Sequence, residues 1–152
     1  MYPTNWGHDS GSTQRTPDIL PDASLGQVVS PEGQKLGRIA WLIVTSLDEV
    51  MTRRGLEFKA TPKDAPAPKT ASEIAEAYRL SNEAMVVAIK EQLSDETLNK
   101  EINMYGEQWS VATILSILTS HQTHHRGQMT VLIRQAGLRV LGVYGPAREE
   151  WA

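Results

Sequence analysis

The 152-residue sequence contains no cysteine, which excludes a disulfide framework, a thiolate nucleophile and a cysteine-ligated zinc site. It also lacks an excess of positive charge, since the net charge is −3 and no Lys/Arg cluster is present, so binding to nucleic acid is not favoured. The longest apolar run, Ile39 to Val44, is far too short to span a membrane. Residues 1–16 lack the apolar region of a signal peptide. These absences predict a soluble cytoplasmic protein with neither nucleic acid nor membrane as a partner.

Helical periodicity dominates the rest of the sequence and predicts an all-α fold with little or no sheet. Thr70 and Ser110 are suitable N-cap residues for two of the helices. A fourth, weaker helix is predicted within residues 1–31, where glycine and proline lower helix propensity. We therefore expect residues 1–152 to form a single domain, a four-helix bundle. Three segments have the clearest periodicity: residues 33–54, 70–93 and 111–136.

Two histidines four residues apart are the most informative feature of the chain. His121 and His125 lie in the last predicted helix, where four residues advance the helix by roughly 400°. The two imidazoles therefore stack on one face, one turn apart, within the apolar stripe that faces the core. Imidazoles held in this way can bind one metal ion. The alternative is a pair of core histidines that hydrogen-bond to neighbours, although one cation would satisfy both lone pairs at once.

The residues around the pair carry weaker signals. Arg126 points off the apolar stripe, where it could bind a carboxylate or a partner surface. A solvated or interface position is favoured over a substrate clamp. Gly127 costs a helix about 1 kcal/mol relative to alanine, and we expect it to allow the close approach of a neighbouring segment. Gln128 could hydrogen-bond a ligand histidine, although polar packing explains it equally well. Tyr144 is expected to dock the C-terminal segment on the core rather than to donate a proton.

The motif HQTHHRGQMTVLIRQAG at residues 121–137 resembles the DinB/YfiT-like family of metal-dependent enzymes. GRIAW at residues 37–41 and VYGPAREEW at residues 143–151 support the resemblance, which spans most of the chain from about residue 20 onward. It implies a four-helix bundle, often dimeric, with one divalent ion held by three histidines. His121 and His125 match the two histidines of the last helix.

The third histidine of the family pattern should follow GRIAW directly, and this sequence has Leu42 at that position. Glu49, two turns further along nearly the same helix face, and His8 in the N-terminal segment are candidate substitutes. His124 is a poorer one, because adjacent helical residues diverge by about 100°. If none of them binds, Leu42 simply packs and the affinity for metal falls.

Two classes of function are consistent with these residues. The resemblance implies an enzyme that depends on a divalent metal, zinc or nickel, and acts as a hydrolase or as a transferase of low-molecular-weight thiols. Its partners would be a small-molecule substrate or thiol and a second copy of the chain. The alternative is a non-catalytic dimeric bundle that binds a small ligand. Leu42 favours the alternative, whereas the retained pair, His121 and His125, favours the enzyme.

Overall fold

The structure of the protein is a computed structural model that describes residues 2–151, with side chains from residue 5 onward. Most of the described residues are helical, so the predicted all-α class is confirmed. The three predicted helices agree with the observed ones to within three residues at each end, and the weaker N-terminal helix is also present. No helix in the described part of the chain is both long and apolar enough to cross a membrane. The helices are α1 (Tyr2–Asp18), α2 (Leu36–Arg53), α3 (Ala71–Gln92) and α4 (Val111–Gln135).

Local signals fix where the helices begin and end. The Thr70 hydroxyl accepts from the backbone N–H of Glu73, which caps the start of α3, and it donates to the Glu73 carboxylate at 2.6 Å. The Ser110 hydroxyl accepts from the backbone N–H three residues later at 3.1 Å and caps α4. Gly55 and Gly137 follow α2 and α4 with φ of 93° and 74°, a conformation that glycine adopts without steric cost.

Packing between helices supplies the stability that α1 lacks in propensity. α2 packs against α3 and α4, and α1 also packs against α3 and α4. The Trp6 side chain is buried, and its indole N–H donates to Oδ1 of Asn82 at 2.7 Å, which ties α1 to α3. Gly37 at the start of α2 lies against Leu25, since a Cβ on this glycine would be 3.1 Å from the Leu25 Cβ. The GRIAW glycine therefore permits a close contact between α2 and the preceding segment.

A short hairpin precedes α4 and forms the only sheet among residues 2–151. Strands β1 (Glu101–Met104) and β2 (Glu107–Ser110) pair antiparallel, and they are only four residues long. Tyr105 and Gly106 form the turn, with φ of 56° and 91°. Positive φ at both residues is typical of the two-residue turns whose twist matches that of the paired strands. Strands this short leave too little alternation for sequence periodicity to detect.

Candidate metal centre

The structure brings the two histidines of α4 together. The Nε2 atoms of His121 and His125 are 3.1 Å apart, and the ring centroids are separated by 4.4 Å. Both side chains are half-buried, whereas Gln122 and Met129 at the centre of the packed helix face are buried. The pair thus lies at the edge of the core, within reach of solvent and of a ligand, rather than in its centre.

A hydrogen bond to Gln128 determines the tautomer of His125. Nδ1 of His125 lies 2.7 Å from Oε1 of Gln128, and a carbonyl oxygen can only accept, so Nδ1 carries the hydrogen. In the neutral imidazole the Nε2 of His125 therefore presents a free lone pair toward His121. Without an ion, Nε2 of His121 donates to this lone pair. Nδ1 of His121 is then left buried and has no hydrogen-bond partner among the described residues.

The geometry of the pair fits two positions of a metal coordination shell. Metal–nitrogen distances of about 2.0–2.1 Å separate two ligand nitrogens by about 2.9 Å at a right angle and by about 3.3 Å at a tetrahedral angle. The observed distance between the Nε2 atoms, 3.1 Å, lies between these values. Imidazole nitrogen is also a donor that zinc and nickel accept readily, so the two side chains suit such an ion.

The environment of His121 favours its neutral, metal-binding form. Burial lowers the pKa of His121, and the neighbouring His125 lowers it further. The carboxylate of Glu49 acts in the opposite direction, which indicates that its charge lies within electrostatic range of the pair. Since protonated imidazole cannot bind a metal, a lowered pKa extends the pH range over which His121 is available as a ligand.

Among the described residues, none of the three candidate substitutes forms a three-ligand cluster with the histidine pair. No three His, Cys, Asp or Glu side chains in the described residues are close enough to share an ion. Glu49 instead accepts a hydrogen bond from the Tyr105 hydroxyl at 3.2 Å, at the tip of the hairpin. His8 is exposed, and its ring lies 6.0 Å from that of Tyr144. His124 is also exposed.

Helix α2 runs beside the pair at the level of Leu42. The Gln122 amide, next to His121 in sequence, donates to the backbone oxygen of Ile43 at 3.0 Å and to the Ser46 hydroxyl at 3.2 Å. Gln122 is fully buried and accepts in turn from a tyrosine hydroxyl of α3. These bonds fix the register of α4 on α2. Leu42, which precedes Ile43, is half-buried.

Comparison with known proteins identifies the family. The sequence matches the DinB family over residues 1–152. This chain belongs to the DinB family. It is 44% identical over 148 residues to YrdA of Bacillus subtilis strain 168, an uncharacterized protein, and the match covers 97% of this chain and 89% of YrdA.

Two crystal structures of DinB-like proteins are similar to this one. The protein from Bacillus cereus ATCC 10987 has a TM-score of 0.90 and 42% identity, over 94% of this chain and 95% of that chain. YjoA from Bacillus subtilis has a TM-score of 0.74 and 19% identity, over 96% of this chain and 99% of that chain. The second similarity shows the fold alone.

Arg126 of this DinB chain is buried, so the favoured solvated or interface position was wrong, whereas the predicted contact with a carboxylate is observed. Its side chain is 3% exposed and forms an ion pair with Asp9 of α1 at 2.9 Å. The guanidinium also donates to the Thr13 hydroxyl at 2.7 Å and to the Tyr144 hydroxyl at 2.8 Å. Tyr144 bonds in turn to Asp9, so the C-terminal segment docks here as predicted. Asp9 was missed, although the i, i+4 spacing of Asp9 and Thr13 places them on one helix face once α1 is known to be helical.

The two residues after Arg126 have different roles. Gly127 is exposed, and a Cβ at this position would meet nothing within 4 Å. The expectation that a neighbouring segment approaches this glycine was therefore wrong, because this side of α4 faces solvent. Gln128 makes a hydrogen bond to His125, one of the two histidines predicted to bind a metal.

Proposed function

We propose that this DinB protein is a divalent-metal-dependent enzyme whose ion is held by His121 and His125. The observation that carries the proposal is the 3.1 Å approach of the two Nε2 atoms, with His125 oriented by Gln128. Membership of the DinB family supports it, as does the arrangement of the four helices, which we interpret as the family's four-helix bundle.

A hydrogen-bonded second nitrogen is typical of ligand histidines, because it fixes the tautomer and the ring orientation. His125 has this support from Gln128, whereas Nδ1 of His121 has none among the described residues. The pair therefore holds the ion asymmetrically, with His125 as the better oriented donor. With two protein ligands instead of three, we expect zinc or nickel to bind more weakly than at a three-histidine site.

A bound divalent ion acts as a Lewis acid or lowers the pKa of a bound water or thiol. The reaction classes that this chemistry supports are hydrolysis and the transfer of a low-molecular-weight thiol to an electrophile. The half-buried position of His121 and His125 leaves the site open to such small molecules. We further propose that the protein acts as a homodimer, as expected for the family.

A second candidate function is a non-catalytic bundle that binds a small ligand. It is favoured by Leu42 in place of the expected third histidine and by the lack of a three-ligand cluster in the described residues. In this case the histidine pair would remain as an N–H···N hydrogen bond. The two candidates differ in whether the protein takes up metal at all.

Metal content measured by mass spectrometry on freshly purified protein, with no metal added, separates the two candidates. We expect a transition metal in wild type and none in the double variant His121→Ala/His125→Ala. His124→Ala is the matched control, because His124 is exposed and its ring lies 5.0 Å from that of His125. It should keep the wild-type metal content. A double variant that retains metal at the wild-type stoichiometry would place the ion elsewhere.

A further inference from the structure

A cavity of about 290 Å³ lies beside the histidine pair, between the loop of residues 27–35 and the C-terminal half of α4. We call it the Val29–Val131 pocket. The loop closes on itself, since the backbone N–H of Leu36 donates to the oxygen of Gln27 at 2.9 Å. The pocket is thus formed before any ligand binds, as most small-molecule sites are. The side chains that line it are Val29, Gln34, Ile39, Gln128, Val131 and Leu132.

The lining of this pocket carries no charged side chain. Its two valines are exposed, Val29 by 65% and Val131 by 50%, so apolar surface faces water at the opening. The groove along α3 differs, because Lys59, Glu73 and Glu76 line it. An uncharged lining penalises the desolvation of a charged ligand and favours an aliphatic one.

Gln128 connects the pocket to the histidine pair. Its Oε1 is occupied by Nδ1 of His125 at 2.7 Å. The amide orientation that this bond requires leaves the Nε2 hydrogens free, and no described residue accepts from them. Since Gln128 also lines the pocket, these hydrogens are available to an oxygen of a bound molecule.

We propose that the Val29–Val131 pocket binds an uncharged aliphatic molecule that carries one carbonyl or hydroxyl oxygen. The alkyl part would pack on Val29, Ile39, Val131 and Leu132, and the oxygen would accept from Gln128. This inference rests on the proposed function in one respect, because it makes the pocket the substrate subsite beside His125. It assigns the enzyme a neutral, aliphatic class of substrate rather than a charged one.

The test is a titration of hexanamide into the full-length, chelator-treated protein, followed by ¹H–¹⁵N correlation spectra. We expect shifts centred on residues 28–34 and 128–132. Hexanoate and hexylammonium have the same chain with a charge, and they should bind about tenfold more weakly or not at all. Shifts centred elsewhere, or equal binding of all three probes, would overturn the proposal.

Matched variants define the site. Val131→Trp fills the opening and should abolish hexanamide binding. Ile117→Trp is the control, because Ile117 is another partly exposed apolar residue of α4 and does not line the pocket. Gln128→Leu keeps the apolar wall, removes the amide and should weaken binding about tenfold. Spectral dispersion like that of wild type shows that each variant is folded. Unchanged affinity in a folded Val131→Trp would contradict the assignment.

Two further measurements separate this proposal from its alternatives. His121→Ala removes one metal ligand and leaves the bond between His125 and Gln128 intact, so it should bind hexanamide like wild type. If wild type takes up no metal but still binds hexanamide, the proposed ligand pocket is supported and the proposed metal function is wrong. If wild type fails to bind hexanamide and Val131→Trp turns a dimer into a monomer in sedimentation, a second copy of the chain covers the pocket and the proposal is wrong.

Discussion

Two polar clusters are built on neighbouring residues of α4, the pair of His121 and His125 and the cluster around Arg126. They differ in how completely their polar atoms are paired. The terminal nitrogens of Arg126 donate to Asp9, Thr13 and Tyr144, and the guanidinium is buried. The histidine pair is half-buried, and Nδ1 of His121 has no partner in the described part of the chain. A buried network whose terminal nitrogens are all paired stabilises a fold. The Nε2 atoms of the two histidines instead bond to each other, 3.1 Å apart, at the edge of the core, where an ion can take the place of that bond. The difference supports a structural role for Arg126 and is consistent with the binding role that we propose for His121 and His125.

The largest expected effect on stability is at the cluster around Arg126. Asp9→Ala should lower the free energy of unfolding by about 3 kcal/mol, because Arg126 is left buried without its counter-ion. Urea unfolding measures the change. Glu149→Ala is the control, since it breaks a partly exposed ion pair with Arg134 and should shift the unfolding midpoint much less. If Asp9→Ala unfolds at the wild-type urea concentration, or if it changes metal uptake, the division between the two clusters is incorrect.

A smaller effect is expected next to the two clusters, at Gly127. Gly127→Ala should raise the free energy of unfolding by about 0.5–1 kcal/mol, because the position is helical and a Cβ would lie in open space. Gly137→Ala should instead destabilise the protein, since its φ is 74°. The pair of variants is compared by thermal or urea unfolding. A destabilised Gly127→Ala would mean that a segment does approach this face.

The smallest expected effect is on the pH dependence of stability, and it comes from the histidine pair. Burial and His125 lower the pKa of His121, so the unfolded chain, with a pKa of about 6.5, takes up a proton there at higher pH than the folded protein does. The stability linked to this group is complete above about pH 6.5 and is lost as the pH falls below it. Chelator-treated wild type should therefore lose more stability between pH 7.5 and 5.5 than His121→Gln, while His124→Gln follows wild type. Identical losses in wild type and His121→Gln would contradict the assignment.

The sequence predicts the structural features that depend on the spacing of residues close together in the chain. Helices α2, α3 and α4 follow from periodicity and from caps such as Thr70 and Ser110, and the contact between His121 and His125 requires only that α4 is helical. The features that the sequence does not predict depend on contacts between residues that are far apart in the chain. The partner of Arg126 is 117 residues away, in a helix that is formed mainly by packing. The exposure of Gly127 likewise depends on which segments surround α4.

The central claim is that His121 and His125 form a metal site that lacks one ligand, and Leu42→His tests it most directly. Calorimetric titration of zinc into chelator-treated wild type and variant compares their affinities. If Leu42 faces the pair, the added imidazole should strengthen zinc binding at least tenfold, about 1.4 kcal/mol, and bound zinc should raise the melting temperature of the variant. Equal zinc affinity in the two proteins would contradict the account, because position 42 would then lie away from the pair or the third ligand would already be present.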